Sequence, residues 1–482
     1  MSEKLNILYA ASEALPFIRT CDVADFVYNM TRIYRDDHHR VKVVLPLYRS
    51  IKDKYDDSFR YLMNYTVEMG FSYQLANILT LDVEGVEFLF IDNEHYFSRD
   101  RILGEPDDAE RYIFFNKAIL KLMREIDFHP HILHVHDYPT ALLPAYVKNY
   151  RQVDDFYMKI RSVLSIHNIR NQGIFPAEDG AEMAGLPMSF MEDPDYQYYP
   201  CINFLKTGIA TADHITLPSP TFKEEVQIPY YGEKLDRLMK ANAFKTSGIL
   251  DGIDYRRYDP ERSPTIFFNY NKESLEQKQE NKMGILNYYG LDASENRMLV
   301  GVICRLINRK GCDLLVDNLD YMVEKGMNVI VMGTGETSIE DAIIDASLRH
   351  PQNIAAKIYL NEKEKERILA GSDCILMPSR TEMQATNQLI AMRYGTVPMV
   401  RATGALKDSV RPFNKFSKKG EGFLFSSLTD KGLRELLDQA TEVYFEKPDI
   451  FRKMQENAME KDSSWEHTAR GYMEIYKELI NY

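Results

Sequence analysis

At 482 residues the chain is longer than one ordinary hydrophobic core supports, so two or three domains are expected. Its 45% hydrophobic and 27% charged residues describe a globular protein, and a net charge of −13 excludes a general nucleic-acid binder, which needs clustered cations to neutralise phosphate. The opening MSEKLNILYAASEALPF carries one lysine and an apolar run broken by Glu13, which reads as a first strand and not as an export signal.

In chain order, short apolar runs at Leu5 to Ala10, Val41 to Leu45, Glu87 to Ile91, Ile132 to His136, Ser162 to Ile166 and His214 to Leu217 predict strands. Helical patterns such as Asp108 to Glu125 and Thr140 to Asn149 lie between them. That alternation implies parallel βαβ units with helices on both faces. The pattern restarts with strands predicted at Met298 to Cys304, Asn328 to Met332, Ala356 to Tyr359, Cys374 to Met377 and Val397 to Val400. Two doubly wound α/β domains in series follow, with a boundary near Gly248-Ile249-Leu250-Asp251-Gly252, where glycine suits a hinge. The expected division is 1–249, 250–460 and a C-terminal helix at 461–482, which begins near Ser464 and Trp465. No apolar run reaches the roughly 18 residues of a membrane span, so no membrane partner is predicted. The five cysteines, Cys21, Cys201, Cys304, Cys312 and Cys374, show no CxxC spacing, and a reducing cytoplasm is the expected location.

In open α/β sheets ligands bind beyond the carboxyl ends of the strands, so two such domains facing each other are expected to line a cleft with strand-end loops. Arg305 and Lys310 leave one strand end, and Glu382 follows another in Cys374-Ile375-Leu376-Met377-Pro378-Ser379-Arg380-Thr381-Glu382. Two fixed cations suit a departing diphosphate, whose charge they hold without solvent reorganisation. Gly333-Thr334-Gly335 also follows a strand but lacks the third glycine of a dinucleotide fingerprint, so it is either a turn near a nucleotide or a structural turn. His167, followed by Asn168, ends a strand where it could bond a sugar hydroxyl, polarise a leaving group, or serve structure alone. His134, His136 and Asp137 suggest a metal, but strand alternation puts the two histidines on one face and Asp137 on the other, and no metal is expected.

These segments, in this order, resemble the bacterial glycogen synthase and plant starch synthase family, retaining glycosyltransferases of the two-domain GT-B architecture. The likeness runs from Ala11-Ser12-Glu13-Ala14-Leu15-Pro16-Phe17 through His134-Val135-His136-Asp137, Ile166-His167-Asn168, the Arg305 and Lys310 turn, Met377-Pro378-Ser379-Arg380 and Arg393-Tyr394-Gly395-Thr396-Val397-Pro398 to the Trp465 helix. The resemblance implies transfer of glucose from a nucleotide donor, ADP-glucose or another nucleotide-glucose, to the non-reducing end of an α-1,4-glucan, with no metal and no cofactor, the nucleotide sugar being a substrate. It implies that Arg305 and Lys310 hold the donor diphosphate, that Glu382 contacts the donor glucose and that His167 lies beside that sugar. It also implies that the C-terminal helix crosses back to the first domain. Asp137, Asn168, Arg19, Asp25 and Gln388 fall on substrate-binding positions. Gly333, Gly335 and Leu360 fall in the nucleotide region, Leu360 where the family has a tyrosine.

The chain departs from the family in its glycine loops. Arg19-Thr20-Cys21-Asp22 stands where Lys-Thr-Gly-Gly is usual, and a side chain forced into the left-handed region there would cost about 1 to 2 kcal/mol. Met383-Gln384-Ala385-Thr386-Asn387-Gln388 replaces Pro-Cys-Gly-Leu-Thr-Gln, Asp251 replaces Asn, and Tyr138-Pro139 replaces Trp-His. The alternative these departures raise is a catalytically impaired homologue that binds glucan or a partner protein.

Overall fold

The structure is a computed structural model that describes residues 4–176, 183–186, 198, 201–294 and 297–481. The chain forms two compact units: Met1–Pro218 with Lys223–Ile249 and Thr468–Tyr482, and Ser219–Phe222 with Leu250–His467.

The first unit is built on a nine-stranded sheet. Its strands are β1 (Asn6–Ala10), β2 (Arg40–Pro46), β3 (Arg60–Met69), β4 (Ser72–Val83), β5 (Val86–Asp92), β6 (Ile132–His136), β7 (Arg161–Ser165), β10 (His214–Leu217) and β11 (Thr246–Gly248), while β8 (Ile174–Pro176) and β9 (Cys201–Asn203) form a separate pair. The order is β11-β10-β7-β6-β1-β2-β5-β4-β3. All pairs are parallel except β5-β4 and β4-β3. Strands covered on both faces read as continuous apolar runs, and β1 and β6 are of this kind. The hairpin β3-β4 instead buries alternate residues, Tyr65, Val67 and Met69 on one strand and Ala76, Ile78 and Thr80 on the other. One of its faces is therefore wet, which is why no continuous apolar run marks it in the sequence.

The helix Asp108–Glu125 holds a fully buried Arg111, whose guanidinium pairs with Asp108 at 2.5 Å and donates to the Tyr96 carbonyl at 2.7 Å. A buried charge without such partners would be strongly destabilising. From the final helix, Trp465–Ile480, the part assigned to this unit lays Tyr472 and Tyr476 against the sheet, and the Tyr476 hydroxyl lies 2.9 Å from that of Tyr9 and 2.6 Å from Nδ1 of His134.

The second unit has six parallel strands: β12 (Met298–Ile303), β13 (Met327–Met332), β14 (Ile354–Lys357), β15 (Cys374–Met377), β16 (Val397–Arg401) and β17 (Phe423–Phe425), in the order β14-β13-β12-β15-β16-β17. Along β12 the side chains alternate, Leu299 and Ile303 entering one core, Met298, Val300 and Val302 the other. Helices cover both faces, as in a doubly wound fold.

In each unit the strand order reverses at one point, between β1 and β6 and between β12 and β15. The loops leaving those strands are where such sheets hold ligands. Among the described residues no helix is long and apolar enough to cross a membrane.

Candidate active site

In the second unit, the turn after β12 and the turn after β15 are fastened together. The Arg380 N–H donates to the Arg309 carbonyl at 2.8 Å, the Arg380 Nε to the Asn308 carbonyl at 3.0 Å, and its guanidinium pairs with Asp313. Gly311 sits at φ 72°, and a Cβ there would come within 2.1 Å of the Pro378 carbonyl oxygen, so only glycine allows the two turns to meet this closely.

The result brings Lys310 and Glu382 together, Nζ to Oε1 at 2.5 Å, with the Ser379 hydroxyl donating to Oε2 at 2.7 Å. Glu382 is buried and Lys310 partly exposed. Arg305 is exposed, and no partner of its guanidinium is found among the described residues. One cation is thus held against a carboxylate while the other keeps every donor for a ligand.

Gly333 and Gly335 shape this turn from behind. A Cβ on Gly333 would lie 1.9 Å from the Cys304 carbonyl oxygen, and one on Gly335 2.0 Å from that of Leu306. Their N–H groups are engaged, Gly333 with the Lys357 carbonyl at 3.0 Å and Gly335 with Oε1 of Glu340 at 2.6 Å. The two glycines are therefore required by backbone packing, and neither presents a free N–H.

Gln388 is fully buried, its amide donating to the Ala385 carbonyl at 2.8 Å and the Ser409 hydroxyl at 2.9 Å. It braces the segment behind Glu382 and does not reach a surface where a substrate could touch it. Gln384 donates to the Asp251 carboxylate, so this departure from the family pattern comes as a bonded pair. Leu360 is 58% exposed beside Tyr359, whose hydroxyl donates to Glu364 at 2.7 Å.

In the first unit, the loop after β1 and the residue after β6 meet around buried carboxylates. Glu13 accepts hydrogen bonds from the Thr20 N–H, from the Thr20 hydroxyl at 3.1 Å and from the Cys21 thiol at 2.6 Å. Asp22 has ordinary right-handed backbone angles, φ −73° and ψ −13°, and neither it nor Cys21 has positive φ. The backbone strain expected from losing two glycines is absent, because the loop winds directly into the helix Val23–Asp36. Arg19 pairs with Asp25 at 2.5 Å.

Asp137 takes the left-handed conformation itself, φ 51°, and turns its carboxylate back beneath the end of β7. Its Oδ1 accepts from the His167 N–H at 2.8 Å and the Asn168 N–H at 3.1 Å. Burial pushes its carboxyl up to about 7, with the two N–H donors opposing and nearby Glu13 adding to the rise. Asn168 is exposed and stabilises its own turn by accepting from the Arg170 N–H at 3.1 Å.

His167 is buried and pushed down to about 3 by that burial, so its ring is neutral at ordinary pH. Its Nε2 lies 3.1 Å from Nδ1 of His136. The His134 and His136 rings stack at 4.5 Å on one face of β6 as alternation predicts, and burial holds both well below the usual histidine range. Among the described residues no group of three or more His, Cys, Asp or Glu side chains is placed to hold an ion.

Sequence reasoning gave no role to Ser379 in the second unit or to Glu13 in the first, although both lie in segments that carry the resemblance. His136 was visible only as a candidate metal ligand, since its partner His167 lies one strand away.

Comparison with known proteins places these features in a context. Residues 6–241 match the starch synthase catalytic domain, and residues 297–440 match glycosyl transferases group 1. The chain is 37% identical over 477 residues to a glycogen synthase of Finegoldia magna, covering 99% of this chain and 100% of that one. It is 35% identical over 481 residues to a glycogen synthase of Clostridioides difficile, covering 99% and 100%. Among solved structures, the catalytic domain of starch synthase IV from Arabidopsis thaliana, bound to ADP and acarbose, superposes with a TM-score of 0.88 at 26% identity over 100% of both chains. Sucrose-phosphate synthase from Thermosynechococcus elongatus, with a TM-score of 0.59 and 13% identity over 99% of this chain and 100% of that one, shares the fold.

Proposed function

Since the chain belongs to the glycogen synthase and starch synthase family, and is a glycosyltransferase of GT-B architecture, we propose that it moves glucose from ADP-glucose to the non-reducing end of an α-1,4-glucan. The observation that carries this reading is the Lys310–Glu382 pair with exposed Arg305 beside it, at the reversal point of the β12–β15 sheet.

Breaking the bond between glucose and the diphosphate leaves charge on the departing oxygens. Arg305 has a planar fork suited to two of them at once. Lys310 uses one of its three N–H donors on Glu382 and keeps two for phosphate. These donors are held in place by the fastened turns, so they need not reorganise as charge develops. Each Glu382 oxygen already accepts one hydrogen bond and retains capacity for a sugar hydroxyl. Neutral His167 supplies a hydrogen bond to the sugar without placing positive charge beside a carbon that itself becomes cationic. No cofactor is needed for this chemistry, the nucleotide sugar being consumed as substrate.

The Arg19–Asp25 pair and the carboxylate of Asp22 favour a weaker grip on the donor at this loop than Lys-Thr-Gly-Gly would give, and not loss of the reaction. The test is glucan-dependent release of ADP from ADP-glucose, with UDP-glucose in parallel. Turnover with ADP-glucose at the higher kcat/KM is expected. A folded protein with no turnover on either donor would overturn the proposal and return the impaired homologue.

A further inference from the structure

Two of the five cysteines lie sulfur to sulfur. Cys304 follows β12 and Cys312 opens the helix Cys312–Val316, and their Sγ atoms are 3.6 Å apart. Between them runs the turn that carries Arg305 and Lys310. The Cys374 thiol faces the Met298 sulfur at 3.9 Å, and the Cys21 thiol is committed to Glu13. All five are reduced.

We propose that Cys304 and Cys312 are an oxidisable dithiol which hydrogen peroxide closes to a disulfide, and that closure slows sugar transfer by displacing the turn between them. The pair is already near bonding geometry, since a disulfide needs sulfurs about 2.05 Å apart and side-chain rotation can supply the remaining approach. The two sulfurs stand at a strand end and a helix start eight residues apart.

The surroundings favour one proton on the pair. The Cys304 thiol is pushed up, first by its bond to the second sulfur and then by burial. The Cys312 thiol is brought down by that same bond, with further help from the Ile307 N–H and from Lys310. Cys312 is buried and Cys304 partly exposed, so a small oxidant reaches the pair from the Cys304 side.

The thiolate of Cys312 attacks one peroxide oxygen and breaks the O–O bond, giving Cys312 sulfenic acid and hydroxide, which takes the Cys304 proton and becomes water. The resulting Cys304 thiolate attacks the sulfenic sulfur, forming the S–S bond and expelling hydroxide. Two electrons pass from the sulfurs to the peroxide. A small dithiol returns the pair to its starting state.

The effect on catalysis rests on the function proposed above, because Arg305 and Lys310 are the donors the cross-link would move. A displacement of about 1 Å can cost a positioned group on the order of a hundredfold in rate.

The experiment treats full-length protein with hydrogen peroxide, blocks remaining thiols and maps the tryptic peptides. Cleavage at Arg305, Arg309 and Lys310 separates the two cysteines, so a disulfide joins peptides that reduction releases. The expected result is a Cys304–Cys312 linked peptide, with ADP release slowed about tenfold and restored by dithiothreitol. Cys304→Ser and Cys312→Ser, shown to be folded by thermal melting, should keep their rate in peroxide. Peptides showing Cys304 and Cys312 still free after Cys21 is oxidised would overturn the dithiol, and mapping reads this even in a protein that transfers no sugar. A linked peptide with an unchanged rate would overturn the effect on catalysis.

Discussion

Nδ1 of His136 lies 3.1 Å from Nε2 of His167, and the other nitrogen of His136, Nε2, is buried without a hydrogen-bond partner. A buried N–H left unpaired is rarer and costlier than an unpaired acceptor. The proton of His136 therefore sits on Nδ1 and is donated to His167. That assignment puts the His167 proton on Nδ1, the nitrogen that the function proposed above would offer to a sugar. His136 is thus a positioning residue for His167.

Replacing His136 should free His167 to change tautomer. His136→Ala is expected to lower kcat roughly tenfold while leaving the donor KM within about twofold, and His136→Asn, whose side-chain amide can still donate, should recover much of the loss. Steady-state kinetics on both variants checks this. Equal losses in the two variants, or a loss confined to KM, would remove the positioning role.

The buried imidazoles and Asp137 pull stability in opposite directions with pH. His167, held at about 3 against an ordinary 6.5, contributes stability that is full above pH 6.5 and is lost as pH falls through 3. His134 and His136 are lowered by burial and act in the same sense. Asp137, raised to about 7 from 3.8, contributes stability that is full below pH 3.8 and is lost as pH rises through 7. The two shifts correspond to roughly 5 kcal/mol for His167 and roughly 4 kcal/mol for Asp137. Asp137→Asn removes the opposing carboxylate, so its thermal midpoint should gain on the unsubstituted protein from pH 4 to about pH 7 and level off above that. Parallel midpoint curves would show that Asp137 does not titrate as stated.

How much of this was legible depends on which interactions wrote it. The strands β1 and β6 and the helix Asp108–Glu125 stand out because burial on both faces, or along one helical stripe, leaves a continuous apolar signature. The hairpin β3-β4 does not, since only every second residue is buried. Arg305, Lys310 and Glu382 were readable as strand-end residues, and the meeting of Lys310 with Glu382 follows from a strand order that puts β12 beside β15. The Cys304 and Cys312 pair and the His136 and His167 pair were not readable. The first has no CxxC spacing and is created by a turn, and the second joins residues from adjacent strands. The backbone cost expected of the phosphate-loop departures rested on positive φ, which the direct entry into the helix at Val23 avoids.

Gly333 and Gly335 invite a direct check of what they are for. Alanine at either would press its Cβ into a backbone carbonyl, that of Cys304 or Leu306, with no flexible side chain to yield. Gly333→Ala and Gly335→Ala are each expected to cost about 1 to 3 kcal/mol in stability and to raise the donor KM by moving the Arg305 turn. Unfolding by urea and donor kinetics test both. A stable Gly333→Ala protein with only a raised KM would mean the glycine faces the nucleotide instead.

Lys310 and Arg305 should separate by what each supports. Arg305 is exposed and unpartnered among the described residues, so Arg305→Lys should leave the thermal midpoint unchanged while raising the donor KM about tenfold through loss of the bidentate contact. Lys310 also neutralises buried Glu382, so Lys310→Ala should lower both the midpoint and the rate, the latter by roughly a hundredfold or more. Adding Glu382→Gln to Lys310→Ala removes the stranded carboxylate charge. The double variant should regain the midpoint and remain slow, because its lost stability came from the unpaired carboxylate and its lost rate from the missing cation. Recovery of the rate together with the midpoint would assign Lys310 to structure alone.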